Sequence, residues 1–207
     1  MRNWLPIAAL VTVAAGTSDV QRFPPIPLDQ MNPAQRKIAD AILAGPRHDI
    51  EGPFNAWLRS PELADRLQKV GEYLRFNTSL PHKLNEFAIL ITGRELGAGF
   101  EWYAHEPLAI KAGLEPAIAE QLRDGKRPEG MSEDESLVYD FCTQLLRQHQ
   151  VSDAVYRGVV GKFGEQGAVD LIGVTGYYVI VSMTLNVAQV QPPEGAPPTV
   201  ASPEVPR

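Results

Sequence analysis

Apolar side chains recur along most of this chain at three- and four-residue intervals, the signature of amphipathic helices. Leu84, Phe87, Ala88 and Ile91 stand at relative positions 0, 3, 4 and 7 behind Pro81. Leu63, Leu67, Val70 and Leu74 make a similar stripe behind Ser60-Pro61. Asn32-Pro33 supplies an N-cap and a first-turn proline for a helix ending near Gly45, and Ser132 with Glu135 forms a capping box for a helix through Gln148. Further helices are predicted over Phe54–Arg59, Phe100–Ala112, from Glu115-Pro116 to Gly125, after Ser152, and within Gln166–Val190. A break near Gly97–Gly99 separates two of them. Strand-like alternation is scarce and no hairpin dipeptide lies between apolar runs. The pattern predicts an all-α fold: one helical domain of seven or eight helices.

The ends depart from this period. Trp4–Ala15 is an apolar run broken only by Pro6 and Thr12, preceded by Arg2 and followed by small residues and a polar TSDVQ stretch. That is the layout of an export signal over residues 1–16, too short to span a membrane. A signal predicts a periplasmic or secreted protein, with membrane attachment only through an uncleaved N-terminal segment; without one the protein is cytoplasmic. Residues 191–207 hold six prolines in seventeen positions and are predicted to form a disordered tail. The folded body then runs over 27–190.

Composition adds exclusions. The chain has 207 residues, 44% of them hydrophobic and 21% charged, enough apolar mass for a core. Net charge is −6 with no basic block, which argues against nucleic acid as a partner. Cys142 is the only cysteine, so an internal disulfide or CxxC pair is impossible, and its apolar surroundings predict a core residue. Val169–Val187 is nearly all apolar, but Asp170, Thr175, Ser182, Thr184, Asn186 and the central Tyr177-Tyr178 favour burial in a core or between subunits over a membrane span.

The candidate chemistry lies in NEFAILITGRELGAGFEWYAH. Glu101 and His105 are four apart and share one helix face; Glu86 comes from the preceding helix. Two carboxylates and an imidazole form either a proton-transfer site or a buried ion-pair network tying two helices together. A metal reading lacks a second histidine. His48, His82 and His149 are predicted to be solvated, and Trp57 and Trp102 are more often core than site by type.

The stretch FNTSLPHKLNEFAILITGRELGAGFEWYAHEPLAIKAGLEP resembles the carboxymuconolactone decarboxylase family, which also contains the thiol peroxidases of the alkylhydroperoxidase D type. The peroxidase members carry a Glu, eleven residues, a Cys, two residues, a second Cys, three residues and a His. Here Glu86, Ala98, Glu101 and His105 keep that spacing without either cysteine, and Ala109, Ala112, Gly113 and Leu114 form the following turn. The resemblance implies an alkylhydroperoxidase D-like fold and a homo-oligomer, a trimer or a multiple. The missing thiols argue against peroxidase chemistry, which needs one thiolate to attack and a second to resolve.

What the resemblance then implies is a cofactor-free, metal-free lyase acting on a small carboxylated lactone or keto acid. His105 protonates the carbanion or stabilises the oxyanion; Glu86 orients His105 or holds its proton; Glu101, with a raised pKa, acts as a protonated donor. Trp102 and Tyr103 wall the pocket, and Arg94 or Arg75 meets a substrate carboxylate. The other reading is a non-catalytic helical oligomer that binds a small ligand.

Overall fold

The computed structural model describes residues 22–204; the export-signal segment 1–16 lies outside them. Eight α-helices and no strand occur among the described residues. They are α1 (Pro33–Ala44), α2 (Phe54–Trp57), α3 (Pro61–Phe76), α4 (His82–Glu95), α5 (Gly99–Lys111), α6 (Pro116–Arg123), α7 (Glu133–Gln148) and α8 (Asp153–Ala188). The capping chemistry places several of these starts. The Asn32 side chain accepts from the Gln35 N–H while the Gln35 side chain accepts from the Asn32 N–H, and Ser132 with Glu135 repeats the reciprocal pair. Ser60 and Ser152 precede their helices without a side-chain cap bond.

Helix α4 is the axis of the domain. Every residue from Leu84 to Gly93 is buried, and α5, α7 and α8 pack around it. A helix without a polar face has to be enclosed, and its buried polar side chains are bonded locally. Thr92 donates to the Ala88 carbonyl, and Asn85 accepts from Thr78 and donates to the Leu74 carbonyl. Glu86 is the exception that makes the site.

Helix α8 meets the length and hydropathy of a membrane span, but 56% of its most apolar window is buried inside the domain. Gly164, at φ 73° and ψ 175°, interrupts its helical geometry. Of its buried polar residues, Asp170 and Thr175 have hydrogen-bond partners in the fold, while the Ser182 hydroxyl has none among the described residues. Asp170 accepts from the Tyr73 hydroxyl (3.0 Å), the Ser79 amide (2.8 Å) and the Ser79 hydroxyl (2.7 Å), pinning the α3–α4 connection.

Three expectations need correction. The stripe on α3 faces the core only in part: Leu63 and Val70 are 49% and 48% exposed, Leu67 packs partly buried against the core, and only Leu74 is fully part of it. Helix α3 also buries Ala64, Gln68 and Gly71, and the small Ala64 and Gly71 allow closer approach. Periodicity defines two neighbouring stripes here, and the one with less bulk turns inward. The folded body also begins before residue 27. Asn55 and Arg59 donate to the Phe23 and Pro24 carbonyls, and the Ile26 amide donates to Asn55.

The proline-rich segment is also not a free tail. It lacks helix or strand, as its prolines require, but Val200 is buried at 5% exposure. Ala201 and Pro203 lie across the α4–α5 turn: a β-carbon on Gly97 would fall 2.7 Å from the Ala201 carbonyl oxygen and 2.9 Å from the Pro203 ring. Gly97 also has φ 62°, so both backbone and space demand glycine there.

Asp170→Ala is expected to lower the unfolding free energy by about 2–3 kcal/mol, the loss that accompanies removal of hydrogen bonds to a charged group. Denaturant titration of the variant checks it.

Candidate active site

Glu86 lies in the first half of α4, whose burial carries its carboxylate into the interior. Glu101 and His105 lie one turn apart on α5, on the face turned toward α4. The three converge. His105 Nδ1 is 2.7 Å from Glu86 Oε2, and His105 Nε2 is 3.0 Å from Glu101 Oε1. Glu86 is fully buried, and Glu101 and His105 are each 4% exposed. Tyr178, from α8, sets its ring edge-on against the imidazole at 5.3 Å.

Burial opposes a charge on His105. The charge of Glu101 and its hydrogen bond, followed by the hydrogen bond and charge of Glu86, outweigh that penalty and push the pKa up to about 9. At neutral pH the ring is therefore an imidazolium with both N–H groups donating to carboxylates. The shared proton of the trio rests on His105, and Glu101 accepts rather than donates. In this arrangement Glu101 receives the Nε2 N–H of His105, and the cation stands between the two carboxyl groups.

Glu101 and His105 line a cavity of about 160 Å³, and Glu86 stands behind them. Its other walls come from α3, α8 and the loop after α1. Tyr103 lines it, as expected; Trp102 does not. Trp102 comes about 100° further round α5 and is fully buried in the core. Of the two candidate arginines, Arg75 lines the cavity, while Arg94 donates from Nε to the Arg123 carbonyl at the end of α6. His82, expected to be solvated, has a side chain 59% exposed, and its Nε2 comes within 3.9 Å of Glu86 Oε1.

Sequence reasoning missed Arg47, Tyr177 and Tyr178, which also line the cavity. The tyrosines carried one available signal, two hydroxyls in the middle of an apolar helix. Burial pushes Tyr177 up to about 12 and Tyr178 well above its ordinary value, so both are neutral hydroxyls at physiological pH. Cys142 is fully buried, burial pushes its thiol up to about 12, and it is not among the cavity walls. Ala98, which precedes α5, is buried too. Among the described residues no three His, Cys, Asp or Glu side chains are arranged to hold a metal ion.

No protein-family model matches this chain, and no curated protein matches it. Three chains of solved structures do. One is the crystal structure of an alkylhydroperoxidase AhpD core, an uncharacterized peroxidase-related protein from Ralstonia eutropha JMP134. It superposes with a TM-score of 0.68 over 84% of this chain and 92% of its own, at 15% sequence identity. This chain has the alkylhydroperoxidase D-like fold. At the spacing where the resemblance would put cysteines this chain has Ala98 and Glu101, and His105 Nε2 faces the Glu101 carboxylate.

The raised pKa also sets a pH dependence. The folded protein holds the His105 proton more tightly than the unfolded chain does. Its contribution to stability is complete below pH 6.5, shrinks as pH rises, and is lost above about 9. Glu86→Gln is expected to cost about 2–3 kcal/mol at pH 7, because a buried charge loses a partner, and to flatten the decline in stability between pH 6.5 and 9. Chemical denaturation of both proteins across that range checks both.

Proposed function

We propose that the protein is a cofactor-free acid–base lyase of the carboxymuconolactone decarboxylase type, acting on a small carboxylated lactone or keto acid. The observation that carries this reading is that Glu101 and His105, though almost wholly buried, form part of the wall of a cavity. An ion-pair network serving only to tie α4 to α5 needs no opening at that point. The cavity is comparable to the engineered hydrophobic cavities of about 150 Å³ that accept a molecule such as benzene, which sets the scale of the substrate.

The chemistry follows from the charge arrangement. The bond between the departing carboxylate and its carbon breaks, CO2 leaves, and the electron pair enters an enolate whose charge sits on the adjacent carbonyl oxygen. The neutral hydroxyls of Tyr177 and Tyr178 are the donors on that side of the cavity. His105 Nε2 gives its proton to Glu101, Glu101 then delivers that proton to the carbon and returns to carboxylate, and Glu86 holds the now neutral ring in place through Nδ1. Solvent restores the proton. Thiol peroxidase chemistry is not proposed, because Ala98 and Glu101 occupy the thiol positions and Cys142 is sealed in the core.

We also propose that the working form is a homo-oligomer, a trimer or a multiple. Leu67, Val70 and Tyr73 of α3 and Val169 and Ile180 of α8 line an apolar surface groove, and Val169 is 65% exposed. A second copy of the chain is the proposed occupant. If residues 1–16 serve as an export signal, this assembly acts in the periplasm or outside the cell; otherwise it is cytoplasmic.

A screen of carboxylated lactones and keto acids for CO2 release tests the activity. Release is expected from at least one of them, with a loss of about 100-fold or more in His105→Ala, the range of general acid–base catalysis. Release from none, or release unchanged in His105→Ala, would overturn the reading and favour a ligand-binding protein. The same preparation is expected to reduce hydroperoxides no faster than background with a thiol donor. For the assembly, the double substitution Val169→Glu and Ile180→Glu is expected to leave a monomer in light scattering, where the wild type is larger.

A further inference from the structure

The loop between α1 and α2 places a positive charge in an unusual position. Arg47 lines the cavity, yet its Nε and Nη2 are buried from solvent and have no hydrogen-bond partner among the described residues. Buried guanidinium nitrogens normally find an acceptor, because leaving them unbonded carries the full desolvation cost. Acids stand close by without serving. Asp49 also lines the cavity, but it accepts from the Glu51 amide at 3.1 Å.

The surroundings are shaped to hold the group. The guanidinium lies over the Phe54 ring at 5.0 Å and near the Phe76 ring at 5.9 Å, faces that attract a cation without consuming its N–H groups. Gly71 of α3 leaves the necessary room: a β-carbon there would fall 2.7 Å from Arg47 Nη2. A second arginine, Arg75, is on the wall of the same cavity, with its guanidinium 5.2 Å from the centre of the Phe76 ring. Both arginines are near enough to lower the pKa of Tyr177 against the rise caused by burial.

We propose that Arg47, with Arg75, is the carboxylate-binding subsite of this cavity, holding an anionic handle of the substrate while the rest of the molecule lies against Glu101 and His105. This rests on the cavity being the substrate site. The planar two-pronged donor set of arginine matches a carboxylate, and the unbonded Nε and Nη2 are such a pair. Ion pairing stabilises the bound carboxylate in the ground state, so the anchored group is the handle and not the carboxylate that departs.

Titration calorimetry with levulinate, a keto acid that keeps its carboxylate, and its neutral amide tests the assignment on the full chain. The wild type is expected to prefer levulinate, and Arg47→Gln to lose about tenfold in levulinate affinity with amide binding unchanged. Arg47→Lys keeps the charge and the stem over Phe54 but not the fork. It is expected to lose at least about threefold and serves as the reading if Arg47→Gln does not fold. No levulinate binding by the wild type, or undiminished preference in the folded variant, overturns the subsite. The two proposals separate. CO2 release with undiminished levulinate binding in Arg47→Gln keeps the lyase and removes the anchor. A lost preference without CO2 release from any substrate keeps the anchor and removes the lyase.

Discussion

His105 carries a charge inside the helical bundle, where burial alone would remove it, because Glu86 and Glu101 stand against its two ring nitrogens at 2.7 and 3.0 Å. Each member needs the other two. Two buried carboxylates without the ring would repel each other, and the ring without them would lose its proton. The trio therefore fixes how α4 and α5 meet, and the glycine-bounded turn between those helices has to let them close at that angle. The proline-rich segment crossing Gly97 sits on this turn, so a stretch with no regular structure contributes to the geometry of the site.

The surrounding helices divide their labour by bulk. Small residues at Ala64 and Gly71 bring α3 close and make room for the Tyr177 hydroxyl and Arg47, leaving Val70 and Leu63 outward. Helix α8 turns Tyr177 and Tyr178 toward the cavity and Val169 and Met183 away from it. One helix thus serves both the site and an apolar exterior, which is why its sequence reads as apolar on every side.

Much of this was legible in the sequence. The four-residue spacing of Glu101 and His105 put them on one face, and the caps at Asn32 and Ser132 located two helix starts, whereas the stripe read on α4 marked only one face of a helix that is enclosed all round from Leu84 to Gly93. The remainder was hidden for physical reasons. Periodicity identifies a stripe but not which of two neighbouring stripes turns inward, hence α3 and the absence of Trp102 beside Tyr103 on the cavity wall. Arg47 lies in a loop with no period, and its role arises from contacts with Phe54 and Gly71 that are remote in the chain. Arg75 and Arg94 were equivalent as residues; only packing sends one to the cavity and the other to a helix end.

The central claim is that the proton of the trio resides on His105 at neutral pH. The direct measurement is an NMR titration of the His105 ring nitrogens in the intact protein. The account predicts two protonated ring nitrogens at pH 7 and a midpoint near 9. A midpoint at or below 6.5, with one ring nitrogen unprotonated at pH 7, would contradict it.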